Sequence, residues 1–255
     1  MKTVLITGCS SGFGLETART FLERDWSVVA TMRRPREGVL PASERLRILP
    51  LDVTDEESIA ACVAAAGPVD VLVNNAGVGF LNALEGTPPE TVRRLFETNT
   101  FGTIAMVRAV LPQFRARKAG VIVNVSSTVT ARPLHLLSVY TASKAAVNAF
   151  SESVALELKP FGVRVRIVLP GRAPDTAFAE NAGALMKQGI PEAYGEIAEG
   201  VFAAWAGQSA DEVTHAADVA EAVWRAATDP ACPMRLPAGV DAVAAMAAAR
   251  GSGLA

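Results

Sequence analysis

Tyr140 and Lys144 stand four residues apart in Ser138-Val-Tyr-Thr-Ala-Ser-Lys-Ala-Ala-Val-Asn148, and Ser127 lies thirteen residues before the tyrosine. On a helix, residues four apart share a face one turn from each other. A free phenol, with a pKa near 10, is a poor proton donor or acceptor at neutral pH. A nearby ammonium stabilises the phenolate and draws the group towards the working range. A serine hydroxyl reaching the same point would orient the oxygen of an alcohol or carbonyl. The three side chains together point to redox chemistry at a C–O bond.

The elements that must position them alternate along the chain. Short apolar runs rich in Val, Ile and Leu recur at Val4–Ile6, Val28–Ala30, Leu46–Leu51, Val69–Val73, Val121–Val125 and Val163–Leu169. Near-continuous apolar strands between helices describe a parallel sheet covered on both faces. Helices are expected at about 12–24, 55–66, 88–117, 138–159 and 216–228, with Asp55 as an N-cap, Pro88-Pro89 opening the third, and Pro160 and Gly162 closing the fourth. Residues 242–255 read as either a helix or a frayed tail. Residues 172–212 carry no strand signal and follow the sixth strand, at the sheet edge where such folds bind ligands. With no linker or repeat, one domain over 1–255 is expected, with 172–212 as a lid.

Composition narrows the partners. The chain has 255 residues, half of them hydrophobic, and a net charge of −2, which leaves no electrostatic footprint for nucleic acid or an anionic membrane. No apolar run reaches transmembrane length, and the first residues enter a strand without the pattern of a signal peptide. Cys9, Cys62 and Cys232 match no disulfide or metal spacing, so free thiols in a reducing cytoplasm and no metal are expected. With only His135 and His215 present, a histidine-based triad is disfavoured.

A glycine-rich loop, Thr7-Gly8-Cys-Ser-Ser-Gly12-Phe-Gly14, joins the first strand to the first helix. Gly8, Gly12 and Gly14, with Ser10, Ser11 and Phe13, suit a backbone approached closely by a pyrophosphate at a helix N-terminus. The spacing differs from the commoner Gly-x-Gly-x-x-Gly, and a tight structural turn is the alternative reading. The second strand ends at Met32-Arg33-Arg34. An acid there would bind the 2′-hydroxyl of NAD, whereas arginine accommodates a 2′-phosphate. Arg33 and Arg34, with no acid beside them, favour NADP(H) over solvated surface charge.

These motifs, in this order, resemble the short-chain dehydrogenase/reductase superfamily over about residues 3–240. Asp52, Asn74-Asn-Ala-Gly77, Asn99, Ser127, the Tyr140/Lys144 pair and Pro170-Gly171 all match at family spacing. The resemblance implies a Rossmann-like doubly wound parallel sheet of seven strands, order 3-2-1-4-5-6-7, with the last strand within 234–239. It implies that Tyr140 is the general acid or base and that Ser127 holds the substrate oxygen. Lys144 lowers the tyrosine's pKa and binds the nicotinamide ribose, and Asn99 carries a water of a proton relay. Asp52, Val53, Asn75, Ala76 and Gly77 would also meet the cofactor. So would Pro170, Gly171 and Thr176, together with Tyr140 and Lys144 themselves. The family's threonine stands four residues after the Pro-Gly glycine, but here Thr176 is five on, so either the loop bulges or Asp175 takes its place.

The spacing picks Ser127 over Ser126. His135 reads as a loop residue, and Arg164 and Arg166 as structural charges at the end of the sixth strand. The resemblance is nearest to the hydroxysteroid and retinol dehydrogenase branch, and Phe178, Leu185, Met186, Tyr194, Phe202 and Trp205 suit an apolar pocket. The expected function is an NADP(H)-dependent oxidoreductase acting on a ketone, aldehyde or secondary alcohol. An NAD-linked dehydrogenase and a non-catalytic dinucleotide sensor or scaffold are the alternatives. A homodimer or homotetramer, built through 88–117 and 138–159, is the implied assembly.

Overall fold

The structure, a computed structural model, describes residues 1–36, 38–174, 176 and 189–251. Seven parallel strands form one sheet in the order β3-β2-β1-β4-β5-β6-β7, as the resemblance implied. They are β1 (Thr3–Ile6), β2 (Ser27–Met32), β3 (Leu46–Pro50), β4 (Val71–Asn74), β5 (Gly120–Val125), β6 (Val163–Pro170) and β7 (Arg235–Ala238). The strand order reverses at β1, which pairs with β2 on one side and β4 on the other. That switch point opens a crevice at the carboxyl ends of the strands.

Period-two alternation sends successive residues to opposite faces. Val4, Ile6, Val71, Val73, Val121 and Val123 pack against Phe21 and Leu22 of α1 (Gly12–Glu23) and Val219 and Val223 of α7 (Ala216–Thr228). Leu5, Leu72 and Ile122 point the other way. They meet α2 (Glu56–Ala66), α4 (Gly102–Arg117) and α5 (Ser138–Leu158) through Ile59, Met106, Val110, Phe114 and Val154. Both faces are therefore dry. Val69, expected in the fourth strand, lies outside it: its N–H donates to the Gln113 side chain of α4 at 3.0 Å, which removes it from the ladder.

The caps are as read. The Asp55 carboxylate accepts from the N–H groups of Glu57 and Ser58, α3 (Pro89–Phe96) has proline in its first turn, and Gly162 closes the turn after α5. Two further helices occur among the described residues: α6 (Gly195–Ala206), within the expected lid, and α8 (Val240–Gly251), which makes the described part of the final segment helical. Phe178, Leu185, Met186 and Asp175 lie outside the described residues.

The long helix expected over 88–117 is not a uniform α-helix. Between α3 and α4 the backbone widens into a π-turn at Glu97–Phe101, where Gly102 N–H donates to the Glu97 carbonyl five residues back. The cause is Asn99. Its carboxamide pairs with both backbone groups of Val78, accepting from N–H at 2.8 Å and donating to C=O at 3.0 Å, and also donates to Ser143 Oγ at 3.1 Å. Single π-turns of this kind concentrate at functional sites.

Candidate active site

Thr7, the first residue beyond β1, organises the glycine loop. Its hydroxyl accepts the N–H groups of Asn75 and Ala76, each at 2.9 Å, while the Asn75 carboxamide donates to the Thr7 carbonyl at 2.9 Å. Sequence reading placed Thr7 in the motif without giving it this task. Gly8 has φ +75°, and a Cβ there would lie 2.9 Å from the Cα of Ala76. A Cβ at Gly14 would strike the Gly8 carbonyl oxygen and the Asn75 amide, so α1 can close onto the loop only without a side chain. Gly14 does not line the cavity; it lets the loop exist. Ser11, the N-cap of α1, makes no side-chain capping bond. Its hydroxyl and the first N–H groups of the helix form a cradle suited to an anion.

The loop is one wall of a cavity of about 1780 Å³ running along the carboxyl edge of the sheet. Gly8, Ser10, Ser11, Gly12, Phe13, Arg33, Asp52, Val53, Asn75, Ala76 and Gly77 line one part of it, and Ser127, Tyr140, Lys144, Pro170, Gly171 and Thr176 another. Arg33 faces the cavity, but Arg34 does not line it, and Arg36 instead donates to the Ser10 carbonyl at 2.7 Å. Burial opposes ionisation of Asp52, yet hydrogen bonds from the Thr54 backbone and hydroxyl, with the charge of Arg33, bring its carboxyl below the usual range. Thr176 is buried against Gly12, its hydroxyl donating to the Ala173 carbonyl at 2.9 Å. The longer loop thus still brings this threonine to the cavity.

Ser127 follows β5 and caps a short 3-10 turn, its hydroxyl accepting from Val129 N–H at 3.3 Å. A second layer holds its backbone: Asn148 donates to the Thr130 hydroxyl at 2.9 Å, and Thr130 donates to the Ser127 carbonyl at 2.8 Å. Ser126 points elsewhere, donating to the Lys144 carbonyl. Tyr140 and Lys144 occupy the first two turns of α5, as the four-residue spacing requires, and both are buried, at 7% and 5% exposure. Tyr140 hydrogen-bonds with the Ser127 side chain. Lys144 donates to the Val125 carbonyl at 3.0 Å.

Electrostatics run against the expectation that Lys144 draws the phenol down towards the working range. Burial comes first and pushes Tyr140 above the ordinary tyrosine value, with the Ser127 hydrogen bond working in the opposite direction. Burial also pushes Lys144 down, from 10.5 to about 8. Asn99 sits behind the cavity, 1% exposed, and its side chain is committed to Val78 and Ser143.

Apolar side chains surround the Tyr140 end: Val78, Phe80, Leu81, Leu134 and Leu137, with Phe202 and Trp205 of α6. Tyr194 packs nearby with Leu81, Ala83 and Leu136. Arg172 lies over the Trp205 ring, 5.5 Å from its centre, and donates to Gln208 at 3.0 Å. His135 is exposed and does not line the cavity. Arg164 and Arg166 donate to the backbone carbonyls of Ala227, Asp229, Val165 and Pro230, a structural use. The three cysteines are free and buried, and no metal-binding cluster occurs among the described residues. No helix among them is long and apolar enough to cross a membrane.

Comparison with known proteins agrees with this fold. Residues 2–186 match the model of a family described as short chain dehydrogenase. The chain belongs to the short-chain dehydrogenase family. Retinol dehydrogenase 8 of Bos taurus is 42% identical over 182 residues, covering 67% of this chain and 58% of that protein. The chain therefore matches less than two thirds of that relative's length. The 3-ketodihydrosphingosine reductase of Bacteroides thetaiotaomicron is 39% identical over 199 residues, covering 76% and 72%. Among solved structures, a short-chain dehydrogenase from Streptomyces avermitilis superposes with a TM-score of 0.85 at 34% identity, covering 99% of this chain and 93% of that one. A serine dehydrogenase complexed with NADP+ gives 0.76 at 29% identity, covering 92% and 93%. A 3-ketoacyl-(acyl-carrier-protein) reductase from Brucella melitensis complexed with NADH gives 0.75 at 26%, covering 94% and 98%. Both nicotinamide cofactors thus occur among solved structures of this shape.

Proposed function

We propose that this short-chain dehydrogenase is an NADP(H)-dependent oxidoreductase acting on a ketone, an aldehyde or a secondary alcohol. The observation that carries the reading is one continuous cavity walled at one part by the glycine cradle and Arg33 and at another by Ser127, Tyr140 and Lys144. The cradle fits a dinucleotide: backbone without side chains, the N-terminal N–H groups of α1 and a Ser11 hydroxyl that makes no capping bond meet where a pyrophosphate would lie. Gly8, Ser10, Ser11, Gly12 and Phe13 would hold it, with Asp52 and Val53 at the adenine and Asn75, Ala76 and Gly77 beyond. Pro170, Gly171 and Thr176 would flank the nicotinamide. When bound, that ring supplies or accepts the hydride.

This chain's own residues manage the oxygen. In reduction, the Ser127 and Tyr140 hydroxyls hold the carbonyl oxygen, and Tyr140 gives it a proton as the carbon gains the hydride, so C=O becomes CH–OH. In oxidation the phenolate takes that proton back. Lys144 steadies the phenolate and would reach the ribose. Its connection to solvent would run through a water carried by Asn99, in the middle of the π-turn.

Arg33, the cationic side chain that lines the cavity after β2, supports a cofactor with a 2′-phosphate. The aromatic and aliphatic lining at the Tyr140 end, with apolar substrates in the names of two relatives, supports a moderately apolar substrate. Residues 172–212 would act as the lid of a single domain. Exposed Phe101 and Leu156, at the start of α4 and on α5, support a homodimer or homotetramer through these helices, and buried free thiols suit a cytoplasmic setting. A panel of carbonyl compounds offered with NADPH and with NADH tests the reading. NADPH oxidation with an apolar ketone or aldehyde is expected; a preference for NADH would refute the cofactor assignment, and no turnover with any carbonyl would favour a sensor.

A further inference from the structure

The turn that follows β6 is held by two residues from far along the chain. Gly171 N–H donates to Thr214 Oγ1 at 3.0 Å, and the next N–H, that of Arg172, donates to Asp241 Oδ2 at 2.7 Å. Thr214 Oγ1 lies 2.6 Å from Asp241 Oδ1 and 2.9 Å from the Ala238 carbonyl, so its single proton serves one acceptor at a time. Thr214 is fully buried, at 0% exposure, and its own N–H donates back to the Arg172 carbonyl at 2.9 Å. One carboxylate thus gathers two consecutive donors of the turn, one directly and one through a hydroxyl.

The contact leaves no slack. A Cβ at Gly171 would run into the Asp241 carboxylate, so glycine is what lets turn and carboxylate meet. Asp241 is itself fixed, because it stands in the first turn of α8, where the helix dipole favours an anion, and Ala242 N–H donates to its Oδ1 at 2.9 Å. Bonds to an ionised acceptor are shorter and about twice as strong as neutral ones. Val240, Asp241, Ala244, Ala245 and Ala248 of the same helix line the cavity that Pro170 and Gly171 also line.

We infer that Asp241, with Thr214 as its relay, is a positioning residue that sets the Pro170-Gly171-Arg172 turn for hydride transfer. The inference rests on the reading of this cavity as a nicotinamide site. The sheet order places Asp241 beyond β7 and the adenine-end residues Arg33 and Asp52 beside β2 and β3, on opposite sides of the switch point. Loss of the latch therefore acts on the nicotinamide end and leaves the adenine end untouched.

The test uses the full chain as Asp241→Ala, Thr214→Val and Thr214→Ser. Adenosine 2′,5′-bisphosphate probes the adenine end by calorimetry, NADPH fluorescence reports the nicotinamide environment without any substrate, and kcat is read with the best carbonyl of the panel. Thr214→Val and Asp241→Ala are expected to lose the bound-state fluorescence change and to lower kcat by about 10–100-fold, as sub-ångström to ångström misplacement does. Their affinity for the bisphosphate stays that of wild type, and Thr214→Ser restores both readouts. Equal weakening of both ligands, unaltered kcat and fluorescence in Thr214→Val, or a Thr214→Ser as impaired as Thr214→Val would each overturn the latch. A wild type that binds neither probe would instead remove the nicotinamide reading, and the latch with it.

Discussion

Lys144 reaches from α5 to donate to the carbonyl oxygen of Val125, the last residue of β5, across 3.0 Å. That neutral acceptor does not offset the loss of water around a buried ammonium, and the lysine's pKa stands at about 8 instead of 10.5. The unfolded chain therefore binds the proton more readily than the folded one, so stability rises as pH climbs from about 8 towards 10.5 and is lowest below that window. Lys144→Met should accordingly raise stability at pH 7 while abolishing turnover. The shift is worth about 3 kcal/mol and the lost hydrogen bond offsets about 1, leaving a gain of about 2 kcal/mol. Denaturant titrations at pH 7 and above pH 10 check it: the gain should vanish at the higher pH, and a less stable variant at pH 7 would contradict the account.

The same ionisation sets the pH dependence of reduction. The phenol of Tyr140 is pushed above its ordinary range by burial, so it stays protonated and able to donate across the neutral and mildly alkaline region. Lys144 loses its charge near pH 8 in the free protein. The kcat/KM for carbonyl reduction should be level below that point and fall through it, since this parameter reports the free enzyme's groups. A profile level to pH 10 would separate the lysine's charge from catalysis.

Tyr140→Phe removes the proton donor and keeps the ring that packs beside Phe80, Leu95 and Val139. Turnover should fall by about 10²–10⁴-fold, the usual contribution of positioned proton transfer. Cofactor affinity, measured by calorimetry, should be nearly unchanged. Activity close to wild type would displace the tyrosine from its proposed role.

Arg33→Ala should weaken NADPH binding by about 10–100-fold, equivalent to one charge-assisted hydrogen bond, and leave NADH affinity as it was. Arg34→Ala serves as the comparison, because Arg34 does not line the cavity. Equal effects of the two substitutions would argue for diffuse positive charge over a specific contact.

Much of this arrangement was legible in the chain because its signals are local. A tyrosine and lysine four apart, a glycine loop between strand and helix, and apolar runs separated by helical stretches each occupy one short window. The features that escaped depend on residues distant in sequence. Asp241 and Thr214 meet the Gly171 turn only after β6 and β7 pair, and neither stands in a recognisable motif. Whether Arg33 or Arg34 turns inward depends on the path of the chain after β2, which residue types do not encode. The π-turn escaped for another reason: one extra residue in a turn barely disturbs an apolar pattern, and the pairing of the Asn99 carboxamide with Val78 that accompanies it joins residues 21 apart in sequence.

That widened turn also works as a phase shifter. Each residue of an α-helix rotates its successor by about 100°, so the additional residue among Glu97–Phe101 turns the whole of α4 relative to α3. The helix can thereby direct Leu95 towards the Tyr140 cluster and Met106 and Val110 towards the sheet, while Asn99 faces Val78 and Ser143. Removing one residue there would give a more regular helix whose faces no longer match their neighbours. The irregularity allows a single helix to answer to both the core and the catalytic edge.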